Sequence, residues 1–201
     1  MRSRDRAGAH RTTLSTQPLV ITTARLHLEP LDPATLDSFH RLVIDPHVRR
    51  YLMDGEEMPR EWSLAQLESS TRSFAEHGLG LWLARHRDTP PSDRDPAIGF
   101  CGLLRLAGTG LDLELVYALR EPSTGRGLAT EMARAVVDAA RRAGLERLGA
   151  SVDAVNLASV RILERLGFAL NECRGGSFGE LRVYGLDLRE PGRGARPTKS
   201  S

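Results

Sequence analysis

The chain is poor in cysteine and lacks any long apolar run. Cys101 and Cys173 are the only cysteines in 201 residues and belong to no Cys-x-x-Cys pair, which argues against a disulfide scaffold and favours a reducing compartment. No stretch approaches the roughly 18 apolar residues that span a bilayer, so no membrane helix is expected. The first residues contain arginine but no apolar segment of a secretory signal. The sequence therefore predicts a cytoplasmic protein without membrane association.

Charge and histidine spacing argue against two further classes. The formal net charge is only +2, and the arginines are spread along the chain without interleaved aromatic residues, so direct nucleic-acid binding is not expected. The six histidines have no metal-ligand spacing and no cysteine partner, which predicts no metal site. Monomer and homodimer both remain open.

The two ends differ in composition from the rest. Residues 1–16 and 190–201 are dominated by Gly, Pro and charged or other polar side chains, and both are predicted to be disordered tails. Residues 17–189 are long enough to bury one core and are predicted to form a single domain.

Hydrophobic periodicity predicts one strand, three helices, three strands, a helix, a strand, a helix and two strands. In the third helix Leu64, Leu67, Thr71 and Phe74 fall at helical spacing, and Gly78 is expected to end it. This order predicts an α/β (α+β) fold with a mixed, mostly antiparallel sheet of about seven strands and helices on both faces.

A glycine turn stands in front of the fourth helix, in the stretch "EPSTGRGLATE". Gly125 and Gly127 would let an anion approach the N–H groups and the positive dipole end of that helix, and Arg126 and Thr130 would add donors. The same glycines also suit a tight structural loop. A P-loop is excluded because Leu-Ala-Thr replaces Lys-Ser/Thr. Thr130 occupies the position of the third glycine of a dinucleotide-binding motif. Only Asp153, at the end of the next predicted strand, still favours that motif.

A second motif, "NLASVRILERLGF", begins at Asn156. Asn156 suits the N-cap of a helix that ends at Leu-Gly-Phe, and Ser159 suits the same helix as a solvent-facing residue. Neither residue by itself points beyond structure.

Together, "GRGLATE", "ELVYAL" and "NLASVRILERLGF" resemble the GNAT superfamily of acyl-CoA N-acyltransferases. With the opening "TTARLHLEPLDP" and "DPHVRRYL", they are similar to the ribosomal-protein alanine/serine N-acetyltransferase branch in particular. The likeness covers about residues 18 to 188. Thr124 departs from the Gln or Arg of the general loop, and Leu163 stands where many members have a tyrosine acid.

The resemblance implies acetyl-CoA as co-substrate, bound in a V-shaped splay between two strands with its pyrophosphate at the glycine turn. The implied cofactor-binding residues are Tyr117, Ala118, Leu119, Thr124, Gly125, Arg126, Gly127, Leu128, Ala129, Thr130 and Asn156. It also implies that Ser159 returns a proton to the departing thiolate. The acceptor would lie near the early helices, where Asp45, Arg49, Tyr51 and Trp62 are candidate contacts.

Glu114 is the candidate general base. Strand alternation places it on the face of Val116 and Ala118, opposite Leu113, Leu115 and Tyr117. A carboxylate on an interior strand suits proton transfer from the attacking amine. The alternative is an exposed face shared with Asp112, or a structural ion pair with one of the many arginines.

The predicted function is therefore transfer of an acetyl group from acetyl-CoA to a primary amine, by direct attack. The amine belongs either to a protein N-terminus or to a small molecule. A non-catalytic acyl-CoA sensor and a dinucleotide-binding protein are the alternatives.

Overall fold

The structure is a computed structural model that describes residues 19–89, 97–105 and 113–189. The tails predicted at 1–16 and 190–201 lie outside these ranges, and so do Leu111 and Asp112 of the predicted third meander strand. The described residues form five α-helices, α1 Leu36–Val43, α2 Pro46–Leu52, α3 Arg60–His77, α4 Leu128–Arg142 and α5 Leu157–Leu166, with two short 3-10 helices at Pro33–Thr35 and Glu121–Ser123.

The described strands form one sheet of eight. They are β1 Ile21–Thr22, β2 Leu26–Pro30, β3 Leu81–His86, β4 Gly99–Leu104, β5 Glu114–Leu119, β6 Arg147–Asp153, β7 Ala169–Gly176 and β8 Gly179–Asp187. Their order across the sheet is β1-β2-β3-β4-β5-β6-β8-β7. The predicted α/β fold and mostly antiparallel sheet are confirmed. The strand that the sequence did not predict is β1, because two residues are too short to show alternation.

The sheet opens between β5 and β6. Every other neighbouring pair is antiparallel and shares at least two residue pairs, whereas β5 and β6 run parallel and share the single pair Glu114 with Gly149. Beyond that pair the two strands diverge, as expected for the predicted splay. The opening leaves an edge of each strand available inside the molecule.

Two apolar clusters pack on opposite faces of the sheet. α4 and α5 bury Met132, Val136 and Leu163 with the odd-numbered side chains of β5. α1, α2 and the first half of α3 bury Phe39, Val48 and their neighbours against Val116 and Ala118 of the same strand. Because side chains alternate along a strand, Glu114 lies on the α1–α3 side.

The buried face of α3 differs from the prediction. Leu64 is 42% exposed, whereas Ser63 and Ser70 are fully buried. The Ser63 hydroxyl lies 3.0 Å from Nδ1 of His40, and the Ser70 hydroxyl accepts the Leu81 N–H at 2.8 Å. Leu64 shares the helical spacing of Leu67 and Phe74 but lies off the buried face, because hydrogen-bonded serines pack there against the neighbouring elements.

Candidate active site

A groove of about 930 Å³ lies in the splay between β5 and β6. It is bounded by the starts of α4 and α5, by α2, and by the β7–β8 hairpin. Most of the predicted site residues line it, namely Tyr51, Glu114, Tyr117, Ala118, Leu119, Thr124, Gly125, Gly127, Leu128, Ala129, Thr130, Asn156 and Ser159. Arg126, Asp45, Arg49 and Trp62 do not line it.

The glycine turn forms the wall at the start of α4. Gly125 has φ +72° and Gly127 has φ +77°, values that side chains other than glycine adopt only with strain. Among the described residues, no acceptor is found for the N–H groups from Gly125 to Thr130. From Gly125 onward, Glu131 is the first residue whose N–H has an acceptor in the described chain, the Gly127 carbonyl at 3.1 Å. These free amides and the helix dipole suit an anionic ligand.

The back of the turn is braced by Arg25. Its guanidinium binds the Glu131 carboxylate, with Nε donating to Oε2 at 2.7 Å, and Nη1 donates to the Arg126 carbonyl at 2.9 Å. Thr23 and the Arg25 main chain both donate to Glu131 Oε1, at 2.6 and 2.9 Å. The chain segment before β2 therefore fixes the turn and the first turn of α4 in place.

Replacement of Glu131 by Gln is expected to lower the melting temperature by several degrees at neutral pH, because charged hydrogen bonds of about 1.5 kcal/mol or more are weakened. Burial acts to raise the pKa of Glu131, but the bonds from Thr23 and Arg25 outweigh it and lower that pKa. The carboxylate's contribution is therefore complete above its ordinary value of 4.5 and is lost as the pH falls through the lowered pKa. Thermal unfolding from pH 7 down to pH 3 measures this.

The matched control is Glu68→Gln. Glu68 is exposed on α3 and makes no ion pair with a described residue, so its replacement is expected to change stability little at any pH. A Glu131 deficit that stays constant down to pH 3 would contradict the ionic explanation.

The main chain of β5 presents polar groups to the groove. The Leu113 carbonyl accepts from Gly149 of β6 at 3.0 Å, whereas the Arg120 N–H donates to Ile98 on the β4 side at 2.8 Å. Main-chain groups alternate sides along a strand, so those of Leu115, Tyr117 and Leu119 point toward the splay. With β6 diverging, they are available to a ligand.

Glu114 lies at the closed end of the splay and is fully buried. Its Oε2 accepts the Ser151 hydroxyl of β6 at 2.7 Å, and its Oε1 has no hydrogen-bond partner among the described residues. No arginine or lysine of the described chain pairs with it. The ion pair and the exposed face that would have explained Glu114 structurally are therefore both absent.

The start of α5 faces β5 across the groove. Asn156 Oδ1 accepts the Ser159 N–H at 3.2 Å, which confirms Asn156 as the N-cap. The Tyr117 hydroxyl donates to the Ser159 carbonyl at 3.2 Å. Burial raises the pKa of Tyr117, more than the Ser159 contact lowers it, so the phenol stays protonated. These contacts hold the main chain of Ser159, a residue that lines the groove.

The candidate acceptor contacts separate into two groups. Tyr51 lines the groove and packs edge-on against Phe178 at the hairpin tip, with ring centroids 6.4 Å apart. Asp45 instead caps α2 by accepting the His47 N–H at 3.0 Å. Arg49 pairs with Glu57 at 3.3 Å, and Trp62 stacks on Phe39 within the core. The structure does not bring these last three to the groove.

Several groove residues were not predicted from the sequence. Ser151 contacts Glu114 from 37 positions away, and Ser177 donates to Asp54 at 2.6 Å across 123 positions. Arg161 and Arg165 of α5 also line the groove and make no ion pair with a described residue. Alternation along β6 signals that Ser151 shares a face with Asp153, but only the folded chain brings distant segments together.

The described part of the chain contains no helix long and apolar enough to cross a membrane. Within the same residues, no group of three His, Cys, Asp or Glu side chains is arranged to hold a metal ion.

Comparison with known proteins identifies a family for this arrangement. The family described as an acetyltransferase (GNAT) domain matches residues 25–169. An acetyltransferase from Agrobacterium tumefaciens is 23% identical, with a TM-score of 0.67 over 88% of this chain and 98% of its own. None of the curated proteins matches the sequence.

Two further structures were solved with a ligand. A ribosomal L7/L12 α-N-protein acetyltransferase in complex with coenzyme A is 16% identical, with a TM-score of 0.68 over 84% of this chain and 98% of its own. An acetyltransferase from Salmonella typhimurium with its cofactor acetyl-CoA is 17% identical, with a TM-score of 0.63 over 87% of this chain and 99% of its own. At these identities the likeness shows a shared fold.

Proposed function

The chain belongs to the GNAT acetyltransferase family, and we propose that it is an N-acetyltransferase that moves an acetyl group from acetyl-CoA to a primary amine. The observation that carries this proposal is the meeting, in one groove, of a free anion-binding turn and a buried carboxylate without a cation. The anion-binding turn suits the pyrophosphate of acetyl-CoA, and the buried carboxylate suits the acceptor amine. A protein N-terminus and a small amine are both compatible with the groove.

Three features support acetyl-CoA as the donor. The free amides from Gly125 to Thr130 provide donors for phosphate oxygens, with no side chain at the two positive-φ glycines to obstruct them. The available main-chain groups of Leu115, Tyr117 and Leu119 match the amides of the pantetheine arm. Family relatives of the same fold were solved with coenzyme A or acetyl-CoA.

The proposed reaction uses each of these groups in turn. Glu114 takes a proton from the incoming ammonium, directly or through a water, so that a neutral nitrogen attacks the acetyl carbonyl. A main-chain N–H of β5 that faces the splay donates to the thioester oxygen as negative charge develops there. The C–N bond forms and the C–S bond breaks, which releases the thiolate of CoA without a covalent enzyme intermediate. The acetylated nitrogen loses its second proton, which passes through Ser159 or water to the thiolate, so that a neutral amide and the CoA thiol are the products.

Ser159 is the proposed proton donor to that thiolate. Its main chain is held by Asn156 and Tyr117, and the residue lines the groove. Because a thiolate leaves readily, we assign Ser159 a smaller contribution than Glu114. Leu163, at the position of the tyrosine acid in many relatives, is buried in the α4–α5 cluster and supplies no proton.

A ligand-dependent unfolding measurement tests the donor site. Acetyl-CoA and CoA at a hundred times their dissociation constants are each expected to stabilise the protein by about 2.7 kcal/mol, which raises the melting temperature by several degrees. NAD is expected to have no effect. Release of the CoA thiol on addition of primary amines then tests the transfer.

The outcomes separate the competing functions. Stabilisation by NAD alone would contradict the proposal and favour a dinucleotide site at Asp153. Stabilisation by acetyl-CoA with no thiol release for any primary amine or N-terminal peptide would favour a sensor. An alcohol in place of the amine is the control for N-acetylation, and no transfer to it is expected.

A further inference from the structure

Three carboxylates line the groove, at Asp54, Glu114 and Asp153. Asp153 is only 7% exposed, yet among the described residues no donor bonds its side chain and no cation pairs with it. Within the described ranges, the Asp54 carboxylate accepts a hydrogen bond only from the Ser177 hydroxyl. Glu114 is fully buried, and its Oε1 has no partner in the same part of the chain. Asp153 and Glu114 are therefore two nearly or fully buried carboxylates that line the same groove, and each can still accept a hydrogen bond from a ligand.

The geometry of the sheet fixes the distance between them. Leu148, Ala150 and Val152 belong to the α4–α5 cluster, so Ser151 and Asp153 lie on the opposite face of β6, which Glu114 shares on β5. Ser151 is bonded to Glu114 at 2.7 Å, and Asp153 lies two residues further along β6. At about 3.3 Å per residue, Asp153 is about 7 Å from the point where Glu114 meets β6.

A buried carboxylate without a partner is costly, and a second carboxylate nearby adds to the cost. Burial and the charge of Asp54 both raise the pKa of Asp153. Arg161 and Arg165 line the same groove but form no ion pair with either aspartate. A ligand cation would relieve this cost, whereas nothing in the described core requires an acidic residue at position 153.

We propose that the acceptor carries a second cationic group about 7 Å from the reacting nitrogen, and that Asp153 binds this group with the help of Asp54. The class of acceptor is therefore a diamine or polyamine chain. The inference rests on the proposed N-acetyltransferase function, in which Glu114 receives the reacting amine. Tyr51 and the hairpin tip, joined to the α2–α3 loop through Asp54 and Ser177, cover the second cation.

The test compares cadaverine and putrescine with pentylamine, which has one cation on a similar chain. The wild-type protein is expected to acetylate the diamines with kcat/KM at least about tenfold higher. In Asp153→Asn that advantage is expected to disappear through a rise of about tenfold in the diamine KM, because one charged hydrogen bond is lost. The KM for pentylamine, which has no second cation, is expected to change much less than the diamine KM. Asp54→Asn should give a smaller change in the same direction.

Asp88→Asn is the control for net charge, since the Asp88 side chain is 88% exposed and lies outside the groove. Equal losses for diamines and pentylamine in Asp153→Asn would show a structural role and overturn the inference. A wild-type protein that prefers pentylamine would overturn it too.

Calorimetric binding of cadaverine to the CoA-loaded protein separates this inference from the proposed function. Asp153-dependent binding without transfer to any amine would contradict the function and keep the cation site. Transfer to amines without any effect of Asp153 on binding or KM would contradict the site alone. If neither cadaverine binding nor transfer to any amine is observed, both the cation site and the proposed function are overturned.

Discussion

Glu114→Gln is expected to lower kcat by about 10²-fold or more, the usual contribution of a general base, while the dissociation constant for acetyl-CoA stays unchanged. Gln has the same shape, and its amide oxygen can still accept the Ser151 hydroxyl that Glu114 now binds at 2.7 Å. The substitution therefore removes the capacity to take a proton and leaves the packing in place. Thiol release under saturating amine measures kcat, and calorimetry measures donor binding.

The pH profile distinguishes a base from a structural carboxylate. Without Glu114 the attacking nitrogen must lose its proton to solvent, so the residual rate should rise with pH toward the amine's own pKa of about 10. The wild-type rate should level off at lower pH. Ser151→Ala is the companion variant: it removes only the donor to Oε2, and a much smaller loss of kcat is expected. Wild-type turnover in Glu114→Gln, or loss of acetyl-CoA binding, would contradict the assignment.

The order of strands and helices could be predicted because this chain's local signals agree with its fold. Asp-Pro pairs begin the 3-10 turn before α1 and begin α2, Gly78 and Gly167 end α3 and α5 in left-handed conformation, and alternation marks the strands of the meander. The face of Glu114 followed from the same alternation. These signals are local, and so a single sequence carries them.

The parts that could not be predicted depend on distant contacts. Leu64 fits the helical spacing of α3 as well as its neighbours do, and only the approach of His40 and Leu81 explains why Ser63 and Ser70 are buried instead. Asp45 and Arg49 are close in sequence to the groove residue Tyr51. In the structure, however, Asp45 caps α2 and Arg49 forms an ion pair with Glu57. Nothing local distinguishes a capping aspartate from one that binds a substrate.

Positive and negative groups lie at different walls of the groove, although the net charge of the chain is only +2. The start of α4 offers free amides and a positive dipole end, whereas the α1–α3 side offers Asp54, Glu114 and Asp153. An anionic donor and a cationic acceptor would therefore bind at different walls of one groove. With the donor and the acceptor bound at different walls, the acetyl group and the amine would come together at the splay, where Glu114 and the free edge of β5 lie.

Gly125→Ala is expected to weaken acetyl-CoA binding by about 10-fold to 100-fold, the effect of losing one or two charged hydrogen bonds to phosphate. At φ +72° an alanine is strained by roughly 1 to 2 kcal/mol. If the turn keeps its shape, the added methyl group stands at the anion-binding surface. If the turn rotates to relieve the strain, the amides that follow no longer converge. The first response obstructs the approach of a phosphate to the amides, and the second moves the amides away from it.

Gly78→Ala is the matched control because it imposes the same strain far from the groove. Gly78 has φ +70° at the end of α3, and a methyl group at either glycine would meet no atom within 4 Å. Both variants should therefore lose a similar few degrees of melting temperature, while only Gly125→Ala loses affinity for acetyl-CoA and CoA. Equal affinities in the two variants would show that the turn is a structural loop, and the donor phosphates would then have to bind elsewhere.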